Sequence, residues 1–302
     1  MSESAQANAV PLDESLVRRL ITTQFPQWAH LPITPAVPQG WDNRTFRLGE
    51  EMSVRLPSAA GYVPQVAKIH RYLPQLAPLL PLPIPLPLAQ GEPGEGYPFP
   101  WSICSWLPGE PAVTAPSLDL SEVAHALADF LSALAQIDPT GGPAPGQHSA
   151  NRGGSLAVFD TQTREAIQAL GTTINGPLAL AIWETARATS WEGAPVWFHG
   201  DVASPNLLVQ QGRLSAVIDW GCAGVGDPAC DLVIAWTLFS GESRREFRIA
   251  LHWDEPVWAR ARGWALWHAV ILVAGHSTAT AWEVANSRSV LNDLLQEASS
   301  VV

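Results

Sequence analysis

Hydrophobic periodicity changes once along this chain of 302 residues, near Leu107, and that change narrows the possible folds most. Before it, short alternating runs read as strands. Thr45 to Leu48 and Met52 to Leu56 flank Gly49-Glu50-Glu51 as a hairpin, with Met52, Val54 and Leu56 on one face and Ser53 and Arg55 on the other. Two helices interleave with them: one capped by Asp13 and carrying Leu16, Val17, Leu20 and Ile21, and a short one that begins near Pro64 and ends at Pro74. The Pro- and Leu-rich stretch Leu79 to Pro100 reads as an extended connector whose leucines and Ile84 suit a packed edge, or else as a polyproline ligand. It leads into a strand over Ser102 to Leu107, which Pro108-Gly109 ends. After that, Val123, Leu127, Phe130, Leu131, Leu134 and Ile137 mark an amphipathic helix behind a Ser121 cap. Gly141 to Gly154 reads as a loop, and Ala166 to Leu170 and Ala179 to Ala188 belong to further helices. The expectation is an α+β chain in two lobes: a small β-rich N-lobe over 1–107 and a larger, mainly helical C-lobe over 108–302.

A hydrophobic content of 47% is enough to fill a sizeable core. The formal charge of -11, from 17 basic and 28 acidic residues, disfavours nucleic acid and anionic membrane as partners. It favours cationic ligands, or does no more than keep the chain in solution. Cys104, Cys222 and Cys230 form no CxxC pair and read as reduced thiols rather than a disulfide framework or zinc site. Met1 to Val10 is polar and frayed, without the basic and apolar regions of a signal peptide. The longest apolar run, Trp264 to Gly275, is too short for a bilayer and reads as a buried helix. A cytoplasmic location follows as the default.

Inside the helical half lies one apolar hairpin, Leu207 to Ile218, bracketed by oxygen-bearing side chains. His199-Gly200-Asp201 and Asn206 precede it, and Asp219-Trp220-Gly221 follows. Phosphoryl transfer needs a carboxylate to orient the attacking hydroxyl and accept its proton, and oxygen ligands for a Mg²⁺ that bridges the nucleotide phosphates. An Asp with an Asn a short loop later sets both on one turn, and the hairpin returns the chain so that Asp219 stands beside Asn206. Taken singly, Asp201 reads as a turn former, Asn206 as a loop cap and Asp219 as a buried carboxylate. Taken together, those readings leave unexplained why all three bracket one hairpin. Asp227-Pro228 reads as a helix N-cap, and Asp231 as a support for the loop. The glycines of Gly221 to Gly226 are in the wrong order for a phosphate loop, and no GxxxxGK[ST] occurs.

His199, Asp201 and Asn206 meet the H-x-D-x-x-x-x-N pattern of kinases, and Asp219-Trp220-Gly221 takes the place of D-F-G. With these residues the stretch Trp197 to Leu232 resembles the aminoglycoside phosphotransferase family, of protein-kinase-like fold. The likeness extends through Gly40-Trp41-Asp42-Asn43-Arg44-Thr45-Phe46-Arg47-Leu48-Gly49, Val54-Arg55-Leu56-Pro57, Trp106-Leu107-Pro108-Gly109, Arg152-Gly153-Gly154 and Arg262-Gly263-Trp264-Ala265. The resemblance implies roles. Asp201 is the catalytic base, Asn206 and Asp219 hold Mg²⁺, and His199 and Asp227 brace the loop. Gln39 to Thr45, with Asn43 and Thr45, covers the phosphates of ATP or GTP. Arg55 contacts them. Ile103 to Leu107, with Ser105 and Leu107, meets the base. The acceptor is a small-molecule hydroxyl, aminoglycoside-like and cationic, or else a macrolide or another metabolite. The protein is a monomer or homodimer.

Two departures stand out. Arg55 occupies the place of the usual Lys, and the helix from Val63 to Leu73 has Ala67 and Ile69 where a Glu pairs with that Lys. Weakened nucleotide affinity, a substitute carboxylate and a binding-only, pseudokinase-like protein all fit this. A metal-dependent hydrolase using His199, Asp201 and Asp219 would need a further His or carboxylate beside them.

Overall fold

The computed structural model describes residues 11–37, 39–115 and 117–300, so the reading of Met1 to Val10 lies outside the described residues. The chain forms two compact units, one from the chain up to Pro78 together with Pro83–Pro108, the other from Leu79–Leu82 together with the chain from Gly109 onward.

The first unit opens with helix α1, Glu14–Gln24, whose Asp13 cap accepts the Leu16 N–H at 2.9 Å. Strands β1 (Ile33–Pro35), β2 (Asn43–Leu48) and β3 (Met52–Pro57) precede helix α2, Pro64–Leu76. Strands β4 (Pro87–Gly91) and β5 (Trp101–Ser105) complete an antiparallel sheet of order β1-β2-β3-β5-β4. Because side chains alternate along a strand, Phe46, Leu48, Val54, Leu56 and Ile103 fall on one face. There they bury against Leu16, Val17, Leu20 and Ile21 of α1. The other face carries Thr45, Arg55 and Ser102 in one cross-strand row, and His70 of α2 lies 3.2 Å from the Ser102 hydroxyl.

Two expectations about this unit need correction. Helix α2 does not stop at Pro74. That proline removes one backbone donor, and the Ala77 N–H still closes on the Leu73 carbonyl, so the helix continues to Leu76. The packed edge expected of the connector is a strand: its part from Pro87 pairs with β5 at the edge of the sheet, where proline is tolerated. Ile84 is buried there, and Leu86 and Leu88 face solvent. The strand expected over Ser102 to Leu107 is β5, which ends at Ser105.

The second unit begins with β6 (Glu110–Pro111) and helix α3 (Leu120–Gln136), followed by α4 (Asp160–Leu170) and α5 (Gly176–Arg187). Strands β7 (Val196–Phe198), β8 (Leu207–Gln210), β9 (Arg213–Val217) and β10 (Gly224–Gly226) come next, then helices α6 (Ile234–Thr237), α7 (Gly241–Leu251), α8 (Glu255–Val273) and α9 (Ala281–Ser299). The strands pair as β6-β8-β9 and β10-β7. The cap of α3 is Asp119 rather than Ser121, because Ser121 turns its hydroxyl to Glu246 of α7. Helix α8 buries Trp258, Trp264, Leu266 and Val270 on several sides, as its continuous apolar run requires. Among the described residues no helix is long and apolar enough to cross a membrane. All three cysteines are free thiols, and burial pushes the Cys104 thiol up to about 11.

Candidate active site

Strand β7 delivers the chain into a turn at His199-Gly200-Asp201. Gly200 has φ +83°, and a Cβ there would meet the Cys222 carbonyl oxygen at 2.6 Å, so only glycine fits. Two successive backbone donors of the turn run to one buried carboxylate. The His199 N–H reaches Asp231 Oδ2 at 2.7 Å, and the Gly200 N–H reaches Oδ1 at 2.6 Å. Burial raises the Asp231 pKa, while the two backbone donors pull it back. In the next peptide, Arg152 Nε donates to the Gly200 carbonyl at 3.1 Å. The Arg152 guanidinium in turn lies over the rings of Trp267 (4.7 Å) and Trp264 (5.4 Å).

His199 is buried and its ring is held at both nitrogens. Nε2 faces the Ile218 carbonyl at 3.0 Å and must donate, and Nδ1 receives the Asp201 N–H at 3.2 Å and must accept. That pattern is the neutral Nε2–H tautomer. Trp220 packs edge-on against the imidazole, 4.7 Å between centroids. His199 thus links the Asp201 turn to the far end of the hairpin.

Asn206 donates its side-chain amide to the Asp201 carboxylate (Oδ2) and carbonyl, each at 2.9 Å. With the nitrogen so engaged, the Asn206 Oδ1 is the atom suited to a cation. Strands β8 and β9 form the expected hairpin, and the Ile218 N–H closes on the Asn206 carbonyl at 2.9 Å, setting Asp219 one residue further on. Asp219 adopts left-handed backbone, φ 66° and ψ 65°, a strained conformation for a residue with a Cβ. A half-buried carboxylate, an amide oxygen and a second carboxylate make a hard-oxygen set, chemistry that suits Mg²⁺. Among the described residues no group of three or more His, Cys, Asp or Glu could hold a metal, and the hydrolase reading needs such a group.

Asp227 sits away from the turn. It caps Ala229 (3.0 Å) and pairs with Arg260 of α8, 2.6 Å from Nε and 3.3 Å from Nη2, both side chains being buried. Its backbone N–H reaches the Gly153 carbonyl at 2.9 Å, next to Arg152. Asp231 makes the direct bonds to the turn, and Asp227 acts through this longer chain of contacts. Gly153, at φ +73°, lets the Phe198 ring lie 2.0 Å from where a Cβ would stand.

In the first unit, Asn43 starts β2 opposite Pro57, and Thr45 is opposite Arg55. The segment before β2 is closed by the Gln39 amide, which accepts the Thr45 N–H and donates to the Thr45 and Ala36 carbonyls, each at 2.9 Å. Arg44 holds the Gly40 carbonyl (2.6 Å) and Ser58 that of Trp41 (2.6 Å). With Gly40 as its single glycine, the segment is shaped by side chains. The Ser105 N–H and hydroxyl both engage Leu86 at 2.8 Å, and the Trp106 N–H reaches Glu51 at 2.7 Å. Leu107 follows that pair. Arg260 gave no sequence signal, since its partners Asp227 and Ser190 lie 33 and 70 residues away.

The model of the phosphotransferase enzyme family matches residues 34–264. The uncharacterized protein YcbJ of Bacillus subtilis is 36% identical over 74 residues, 23% of this chain and 24% of that protein, so the matched stretch spans about a quarter of that relative's length. Among solved structures, the GDP complex of aminoglycoside 2'-phosphotransferase-IIIa superposes with TM-score 0.70 at 16% identity, covering 94% of this chain and 99% of that one. The macrolide 2'-phosphotransferase MphH of Brachybacterium faecium, an apoenzyme, gives 0.57 at 22% identity, covering 86% and 92%. At such identities these two show the fold, an α+β, kinase-like architecture.

Proposed function

The chain belongs to the phosphotransferase enzyme family, and from that premise we propose that it transfers the γ-phosphoryl group of ATP or GTP to a hydroxyl of a small molecule. The observation that carries this is the bond from Asn206 to Asp201 at the mouth of the hairpin that ends in Asp219. Asp201 takes the acceptor hydroxyl, orients its oxygen and receives its proton as the phosphoryl bond forms. The Asn206 amide fixes the Asp201 carboxylate for that task. Asn206 Oδ1 and Asp219 hold Mg²⁺, which when bound neutralises charge on the phosphates. Arg55, Asn43, Thr45, Ser105 and Leu107 take the nucleotide. With the donors of Ser105 and Trp106 turned inward, carbonyl oxygens and Leu107 are left to face the base. The reading places the reaction in the cytoplasm, where nucleoside triphosphates are available.

An aminoglycoside-like, cationic acceptor is the first reading, supported by the charge of -11 and by the name of the GDP-bound relative. A macrolide is the second, supported by the MphH likeness. Five tryptophans do not serve it: Trp101, Trp183, Trp220, Trp258 and Trp264 are fully buried and fill the core. The test is incubation with Mg-ATP or Mg-GTP and a panel of both antibiotic classes, following product by mass. Asp201→Ala should lower turnover by about 10²- to 10⁴-fold, the usual yield of a positioned acid or base. An Asp201→Ala protein as active as wild type would remove Asp201 from the mechanism. Failure of the wild type to bind either nucleotide would favour the binding-only alternative.

A further inference from the structure

The sheet face covered by α2 gathers positive charge that its own helix does not neutralise. Arg55 is the cross-strand partner of Ser102, and Ser102 touches His70 of α2, so Arg55 stands on the α2 side. Helix α2 adds Lys68, only 9% exposed, and its sequence PQVAKIHRYLPQL contains no carboxylate. A cation held as far from water as Lys68 needs an anion near it.

Asp42 is placed to be that anion. Gln65, buried and one helical turn before Lys68, donates Nε2 to Asp42 Oδ2 at 2.7 Å. The Asp42 carbonyl accepts the Ser58 N–H at 2.8 Å, just past the end of β3, three residues beyond Arg55. The residue is thereby fastened by its backbone to the strand that carries Arg55 and by its side chain to the helix that carries Lys68. We propose that Asp42 supplies from the loop the carboxylate that kinases of this fold place on the helix, and so positions Arg55 and Lys68 for the phosphates of the donor. Asp42 is a positioning residue: it acts through the two cations. The assignment rests on the phosphotransfer reading above.

Calorimetric titration of the full chain with Mg-ATP and Mg-GTP, paired with thermal melts without nucleotide, tests it. Wild type binds. Asp42→Asn should weaken binding about tenfold or more, the scale of losing one charge-assisted contact, while Asp42→Glu, which keeps the charge, retains most of the affinity. Gln65→Met leaves the charge but releases it from α2, and should weaken binding about threefold, a smaller loss of the same kind. This second variant decides the matter if Asp42→Asn does not fold. Wild-type affinity in Gln65→Met, or in a folded Asp42→Asn, overturns the assignment, and lowered melting with unchanged affinity marks Asp42 as merely structural. A wild type that binds neither nucleotide overturns the phosphotransfer reading and the assignment with it, and that failure is visible without any mutation.

Discussion

Asp231→Asn changes one atom of a buried side chain and should disable the turn that carries Asp201. The carboxylate accepts two successive backbone donors at 2.7 and 2.6 Å, and an asparagine in the same place offers one acceptor and one donor. Either the His199 or the Gly200 N–H then loses its partner away from water, which costs about 1–3 kcal/mol, and the surviving bond loses its charge assistance, about 1 kcal/mol more. Against this, burial holds the Asp231 pKa up, so removing the charge relieves part of a desolvation penalty. The net destabilisation is about 2–3 kcal/mol. Rotation of the Gly200 peptide away from Arg152 also displaces Asp201, and a displacement near 1 Å lowers turnover by about 10²-fold. Urea unfolding reads the first effect, and the rate of nucleotide hydrolysis without acceptor reads the second. Asp231→Ala is the control, because it leaves space for a water to receive both donors and should cost no more than asparagine. A change below about 0.5 kcal/mol with unchanged hydrolysis would refute the clamp, since that is the range of ordinary surface substitutions.

Two further outcomes follow from the same unit. Asp227→Asn keeps the cap on Ala229 but strands the Arg260 guanidinium, and should cost about 3 kcal/mol. Adding Arg260→Met should recover part of that loss, since neither charge then remains buried, and strictly additive unfolding energies in this double-mutant cycle would show that the pair does not form. His268 of α8 is held down to about 4 by burial first, with the nearby Arg152 adding and Glu283 opposing. A depressed folded value means stability that is complete above the ordinary 6.5 and declines as pH falls toward 4, by about 3 kcal/mol in all. Unfolding curves between those pH values should therefore flatten in His268→Gln.

What could be read from the sequence divides by the distance between partners. The hairpin between Asn206 and Asp219, the alternation that puts Arg55 opposite Leu56, and the apolar stripe of α1 are local patterns, and the structure keeps them. The α3 cap shows the limit. Asp119 and Ser121 are both good caps, and the choice is made by Glu246, 125 residues away, which captures Ser121. Asp227 and Asp231 show the same limit within the site. Both lie in Asp-Pro-Ala-Cys-Asp, and the Asp-Pro pair draws attention to the first. Yet the bonds to His199 and Gly200 run from the second, across 32 and 31 residues, while Arg260 claims the first across 33. Their local patterns read as a cap and a loop support, and name no partner for either acid. What separates them is which one meets two converging backbone N–H groups and which one meets a guanidinium. That depends on how α8 and the end of β7 pack around the segment. The same holds for α2: Ile69 reads locally as a lost carboxylate, but Gln65 brings Asp42 to the helix from 23 residues upstream. A missing residue in a motif is therefore evidence of lost function only after the long-range contacts at that place are known.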